Sequence, residues 1–240
     1  MAEKLDILSF GAHPDDCEIG SGAFLLKMKK SGYRTGMITL TEGDMGRGTP
    51  EIRKKETYKA AKVLKLDVVE IHNLGDCQLE DNNSNRVIVA SLIRKFKPEI
   101  ILAPYWGIEP GRGRGHADHI ACGHLVTHAA NFAHLQKYPA AGEPHTIQRI
   151  FYYFFAPHIK PSFIVPVDEE LPFAVKAIQQ HTSQFGPKEH QKRLPDFLET
   201  SGHYYGAMIG SKYGQPFLIN ENICLNDPYD HFVGRKSTKG

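Results

Sequence analysis

Apolar positions fall in short blocks with two different periods. Residues 5–10, Leu-Asp-Ile-Leu-Ser-Phe, are too few for an ordinary helix and read as a buried strand. Residues 21–31, Ser-Gly-Ala-Phe-Leu-Leu-Lys-Met-Lys-Lys-Ser, carry apolar groups at helical spacing and stop at Gly32. A second strand follows near 34–40, then a glycine-rich polar segment over 41–48. Thr49 and Pro50 supply the N-cap and first-turn proline of a helix running to about Leu64. Val68–His72 reads as a third strand and 85–96 as an amphipathic helix. Glu99-Ile100-Ile101-Leu102-Ala103-Pro104 is a fourth, buried strand that runs out into a long Gly/Arg-rich loop.

This alternation predicts an α/β fold, a Rossmann-like, mostly parallel, doubly wound sheet with additional C-terminal strands and helices. Beyond about residue 147 the pattern changes: Ile150–Phe155 and Phe163–Val167 read as strands, 169–183 and about 196–210 as helices. Pro187 and Pro195 bracket a polar connection expected to be mobile, and Arg235–Gly240 is a basic tail expected to fray. A chain of 240 residues suits one domain, with a core over about 1–145 and an extension over about 146–240.

Composition narrows the class. Apolar content of 41 % and charged content of 23 % are ordinary for a globular protein, and a net charge of +2 gives no argument for a nucleic-acid partner. Cys17, Cys77, Cys122 and Cys224 form no C-x-x-C pair, which disfavours a four-cysteine metal site or a disulfide framework. No apolar run approaches the roughly 20 residues of a membrane span, and Asp6 with Asp15-Asp16 spoils a signal-peptide pattern, so a cytoplasmic enzyme is the expectation.

Candidate chemistry lies in two blocks. His13-Pro14-Asp15-Asp16 follows the first strand, and His116-Ala117-Asp118-His119 lies in the loop after the fourth. In a Rossmann-type sheet those strands are neighbours, and ligands bind outside their carboxyl ends. His13 and Asp16 are spaced to share one side of a helical turn, and His119 completes a three-donor set suited to Zn²⁺, with Fe²⁺, Co²⁺ and Mn²⁺ compatible. Asp15 is left free as a general base, Asp118 as a carboxylate that orients an imidazole, and His116, when protonated, as an oxyanion stabiliser. The turn after the first strand lacks G-x-G-x-x-G and carries acids that would repel a pyrophosphate, against a nucleotide-binding reading.

Ala12-His13-Pro14-Asp15-Asp16 and His116-Ala117-Asp118-His119 resemble the A-H-P-D-D and H-P-D-H blocks of the LmbE-like, or PIG-L, family of zinc-dependent N-acetylglucosamine deacetylases. Ala117 replaces the common proline, and Cys17 displaces the acid that usually follows the aspartate pair. Cys17–Gly20, Thr41–Gly48, Glu51-Ile52-Arg53 with Glu56, Ser183-Gln184-Phe185 and Tyr204-Tyr205-Gly206 are similar to the branch that deacetylates N-acetylglucosaminyl malate in bacillithiol synthesis. The resemblance implies His13, Asp16 and His119 as zinc ligands, Asp15 as base, His116 as electrostatic catalyst and Arg53 as a substrate-binding residue. It also implies a tyrosine near the site, for which Phe197, Tyr204 and Tyr205 mark the neighbourhood, and a homo-oligomer, often a hexamer.

The expected substrate is a small GlcNAc conjugate, in the first place the N-acetylglucosaminyl malate of bacillithiol synthesis. A malate aglycone would meet Arg47, Arg53, Arg112 and Arg114, although Gly111–Gly115 reads equally well as a flexible solvated loop. A chitooligosaccharide, an antibiotic precursor, or a catalytically silent sugar-binding role are the alternatives.

Overall fold

The computed structural model describes residues 4–108, 115–185 and 193–224. Five strands, β1 (Ile7–Gly11), β2 (Thr35–Thr39), β3 (Val68–Ile71), β4 (Ile100–Pro104) and β5 (Arg149–Tyr153), form one sheet in the order β3-β2-β1-β4-β5. Every pairing in it is parallel. Helices α1 (Asp16–Lys30), α2 (Pro50–Val63), α3 (Asn83–Phe96) and α4 (Ala117–Phe132) fill the crossovers. The doubly wound α/β architecture is therefore as expected.

Strand periodicity explains the layers. Alternate residues point to opposite faces. Leu8 and Phe10 of β1, with Ile38, Ile101 and Ala103, pack under Val89 and Ile93 of α3 and Leu125, Val126 and Ala129 of α4. Ile7 and Leu102 meet Phe24 and Leu25 of α1 on the other face, where Met37 meets Cys17 and Ala61. Each such buried side chain contributes about 1.5–3 kcal/mol, so a one-residue slip of β1 would exchange two half-cores of different shape.

The C-terminal part departs from the expectation in detail. The helix expected over 169–183 is two pieces, α5 (Leu171–Ile178) and α6 (Thr182–Phe185), and α7 spans Arg193–Ala207. β6 (Phe163–Pro166) pairs antiparallel with β7 (Gly214–Phe217), a strand whose Gly and Pro hid it from a pattern reading. Pro187 and the tail Arg235–Gly240 lie outside the described residues.

Two further corrections bear on the site. α1 begins at Asp16, not at Ser21, and the second His/Asp block is no loop, because α4 starts at Ala117 with His116 as its N-cap. Cys122, Leu125, Val126, Ala129 and Ala130 bury one side of α4, but Asp, His, Thr and Asn positions interrupt that stripe along the sequence. Gly123 lets α4 press on the end of β4: a Cβ there would stand 2.3 Å from the Pro104 carbonyl oxygen. Gly123→Ala is therefore expected to destabilise the protein by about 1–3 kcal/mol, a Tm loss of roughly 2–4 °C per kcal/mol. Urea and thermal unfolding measure this, and wild-type stability would show that α4 has room to move away from β4.

Candidate active site

β1 and β4 lie side by side, and their carboxyl ends deliver the two chemical blocks to one cavity of about 390 Å³. His13, Asp15, Asp16, His116 and His119 all line it. The turn from β1 into α1 places Asp15 at φ 112°, left-handed backbone that costs a non-glycine residue about 1–3 kcal/mol. Asp16 is then fixed by accepting the His13 backbone N–H at 2.8 Å.

The Asp16 carboxylate faces both imidazoles: Oδ1 is 3.0 Å from His119 Nε2 and Oδ2 is 3.6 Å from His13 Nδ1. The other ring nitrogen of His13, Nε2, lies 3.1 Å from Asp118 Oδ2 and 3.2 Å from Asp76 Oδ1. With Nε2 donating to those acids, Nδ1 is the ring nitrogen turned to the Asp16 side, and on losing its proton it would offer a lone pair there. Donor atoms of His13, Asp16 and His119 lie within 4.8 Å of one another. Two imidazoles and one carboxylate fit zinc or a neighbouring divalent metal, and a carboxylate behind a ligand imidazole is the usual support for one. Two overlapping groups, His13 with His116 and Asp118, and Asp76 with Cys77 and Asp118, are also compact. Only the first leaves Asp118 free to hold His13.

Burial sets the electrostatics. It works against charge on His13, yet the Asp16 hydrogen bond and charge, then Asp118 and Asp76, raise that imidazole to about 9. Burial likewise opposes ionised Asp16, but His119 and His13 hold it well below the ordinary carboxylate range. Asp15 is pushed up to about 7 by burial and by the Asp16 charge beside it, against the pull of His181 and Arg53. His116 is lowered by burial and by its neighbours His13 and His119. Its Nδ1 accepts the Asp118 backbone N–H at 3.2 Å, which puts the ring proton on Nε2. In that tautomer the neutral ring offers its Nε2–H as a donor.

Arg53, the other residue expected to touch substrate, is 2 % exposed. Its Nη1 donates to the Gly43 carbonyl at 3.2 Å and to Gln184 Oε1 at 2.5 Å, its Nη2 donates to the Pro14 carbonyl at 2.5 Å, and Asp15 Oδ2 stands 3.8 Å away. Gly43 is required there, since its φ is 65° and a Cβ would lie 3.0 Å from the guanidinium carbon. Glu56 does not pair with Arg53; it accepts from the Thr182 and Ser183 hydroxyls and the Ser183 N–H, at 2.6–2.8 Å. Arg47 is exposed and does not line the cavity, and Arg112 and Arg114 lie outside the described residues.

Sequence reasoning missed Asp76, Cys77 and Phe154, which also line the cavity, and Gln184, part of the Ser183-Gln184-Phe185 resemblance, lines it as well. Asp76 and Cys77 follow β3 at the same sheet edge, so the rule about strand carboxyl ends was an available signal. Phe154 arrives from the C-terminal part, where no local pattern announces it. Phe197, Tyr204 and Tyr205 line a neighbouring cavity and not this one.

Residues 8–130 match the family described as PIG-L, GlcNAc-PI de-N-acetylase. The diacetylchitobiose deacetylase of Thermococcus kodakarensis is 30 % identical over 242 residues, covering 95 % of this chain and 88 % of that one. A probable N-acetyl-alpha-D-glucosaminyl L-malate deacetylase 2 of Bacillus anthracis is 25 % identical over 206 residues, covering 78 % and 85 %. The crystal structure of the conserved protein TT1542 from Thermus thermophilus superposes with a TM-score of 0.83 at 33 % identity, covering 92 % of this chain and 97 % of that one.

The donor geometry generates a direct test. His13→Ala and Asp16→Ala are each expected to purify with far less divalent metal than the wild type, because two remaining donors leave a weak site. Elemental analysis reads the stoichiometry. Full occupancy in both variants would remove these residues from the ligand set.

Proposed function

This chain belongs to the PIG-L family, and from that premise we propose that it is a metal-dependent deacetylase of an N-acetylglucosamine unit in an uncharged saccharide of the diacetylchitobiose kind. The observation that carries the reading is a buried carboxylate, Asp15, lining the same cavity as the His13, Asp16 and His119 donor set without belonging to it. A site built only to bind sugar has no use for a base beside a metal triad.

His13, Asp16 and His119 would hold the cation. Zinc suits the donors, Fe²⁺, Co²⁺ or Mn²⁺ are compatible, and a bound ion would polarise the acetamide carbonyl and acidify a water. Asp15 takes the proton of the attacking water as the C–O bond forms and the carbonyl electron pair moves to oxygen, then gives that proton to the nitrogen as the pair returns and the C–N bond breaks, leaving acetate and a free amine. His116 donates its Nε2 proton in a hydrogen bond to the oxygen on which charge develops. Asp118 keeps His13 in the tautomer that turns Nδ1 toward Asp16. Arg53 acts on position: by binding the Pro14 carbonyl it holds the turn that aims Asp15.

The aglycone is read from charge. Among the described residues the one cation lining the cavity besides the histidines is Arg53, whose Nη atoms already serve protein oxygens. That favours an uncharged saccharide, in line with the 30 % identical relative. N-acetylglucosaminyl malate is the second reading, supported by the 25 % identical relative, and it needs cations at the mouth.

Amine release from GlcNAc, diacetylchitobiose and GlcNAc-malate tests the proposal. Turnover is expected on the uncharged saccharide, lost with a chelator and restored by zinc; no amine from any of the three would end the deacetylase reading. Asp15→Asn is expected to retain its metal and lose on the order of 10²-fold or more in kcat. Near-normal turnover in that variant would relieve Asp15 of the role of base.

A further inference from the structure

Beside the catalytic cavity lies a second one of about 440 Å³, within the usual size of small-ligand sites. Ile19 and Phe154 line both. Its outer wall is α7, where Phe197, Ser201 and Tyr204 recur at helical spacing. Leu198, Gly202 and Tyr205 of the same helix are buried against the body of the protein, so the wall is anchored. Phe197 and Tyr204 are 59 % and 56 % exposed, although both are large aromatic side chains. Rings left open around a cavity mark a binding surface more often than a folding need.

The lining selects the chemistry of the occupant. No charged side chain among the described residues lines this cavity, so a dicarboxylate entering it would lose hydration without gaining a partner. A pyranose ring meets no such penalty. Its C–H faces pack on aromatic rings, and the hydroxyls of Thr200, Ser201 and Tyr204 suit its polar perimeter. From these walls we infer that the second cavity is the subsite for the neighbouring, uncharged sugar ring of the substrate, with Phe197 and Tyr204 as its specificity residues. The inference rests on the proposed substrate, because the shared Ile19 and Phe154 make sense as a subsite boundary only if the first cavity holds a GlcNAc ring.

The test compares diacetylchitobiose with monomeric GlcNAc as substrates of the metal-loaded protein. Phe197→Ala and Tyr204→Ala are each expected to lower the disaccharide-to-monosaccharide ratio of kcat/KM about five- to tenfold, and Phe197→Tyr and Tyr204→Phe to restore it. Calorimetric binding of both sugars to the same proteins runs in parallel, so the subsite is decided even for a chain that hydrolyses neither. Inactivity of the wild type with tighter disaccharide binding that depends on the two rings would sink the deacetylase reading and keep the subsite. An unchanged ratio together with unchanged binding would overturn the subsite. A change in molecular mass by light scattering without a change in disaccharide binding would assign the face to contact between copies of the chain, and would also overturn it.

Discussion

One carboxylate ties the architecture to the chemistry. Asp16 opens α1, accepts the His13 backbone N–H, and faces imidazoles delivered from the carboxyl ends of two neighbouring strands. His13 is delivered by β1 and His119 by the crossover that follows β4, so their meeting depends on the pairing of those two strands. Without the imidazoles, a buried and ionised Asp16 would bear a desolvation penalty of several kcal/mol. The fold brings the three groups together, and the three groups in turn make each other's burial tolerable.

Charge is crowded around that centre. Asp15, Asp16, Asp76 and Asp118 are all buried within one small region, answered by His13, His119, His181 and Arg53. His13 alone is drawn on by three of the acids, which is why its imidazole keeps a proton up to about 9 despite its burial. A divalent cation is a better answer to the same field, since it brings two charges where the proton brings one, and metal binding to such a site releases protons. Asp15 is set apart by the same crowding: the Asp16 charge next to it discourages its own ionisation, and Arg53 and His181 moderate the effect. A group balanced between its two protonation states can accept a proton and give it back.

What was legible in the sequence follows the physics of each element. β1, β2 and β4 are buried on both faces and read as short apolar runs, so they stood out, and their order then brought the two His/Asp blocks together. α4 did not stand out, because its outward positions mix His, Thr and Asn with a central glycine that serves contact with β4. The start of α1 was missed for a related reason: its first turn is acidic and buried, which only the imidazoles opposite explain. Asp76 and Phe154 reach the site from positions far apart in the chain, and neither periodicity nor composition announces a long-range contact. Arg53 was picked out as a residue of the site, but its burial could not be read from a helix that looks exposed along most of its length.

Phe154 joins the two halves of the molecule in a way that neither half explains alone. It follows β5 with φ 60°, an uncommon conformation for an aromatic residue, and its ring lies 5.0 Å from that of His119 at a tilt of 30°. The ring therefore fixes one wall of the donor set by contact, where Asp118 fixes His13 by hydrogen bonding. The same ring lines the apolar cavity under α7. The left-handed backbone at Phe154 thus sets one aromatic side chain between the polar site at the end of β1 and the aromatic surface contributed by α7.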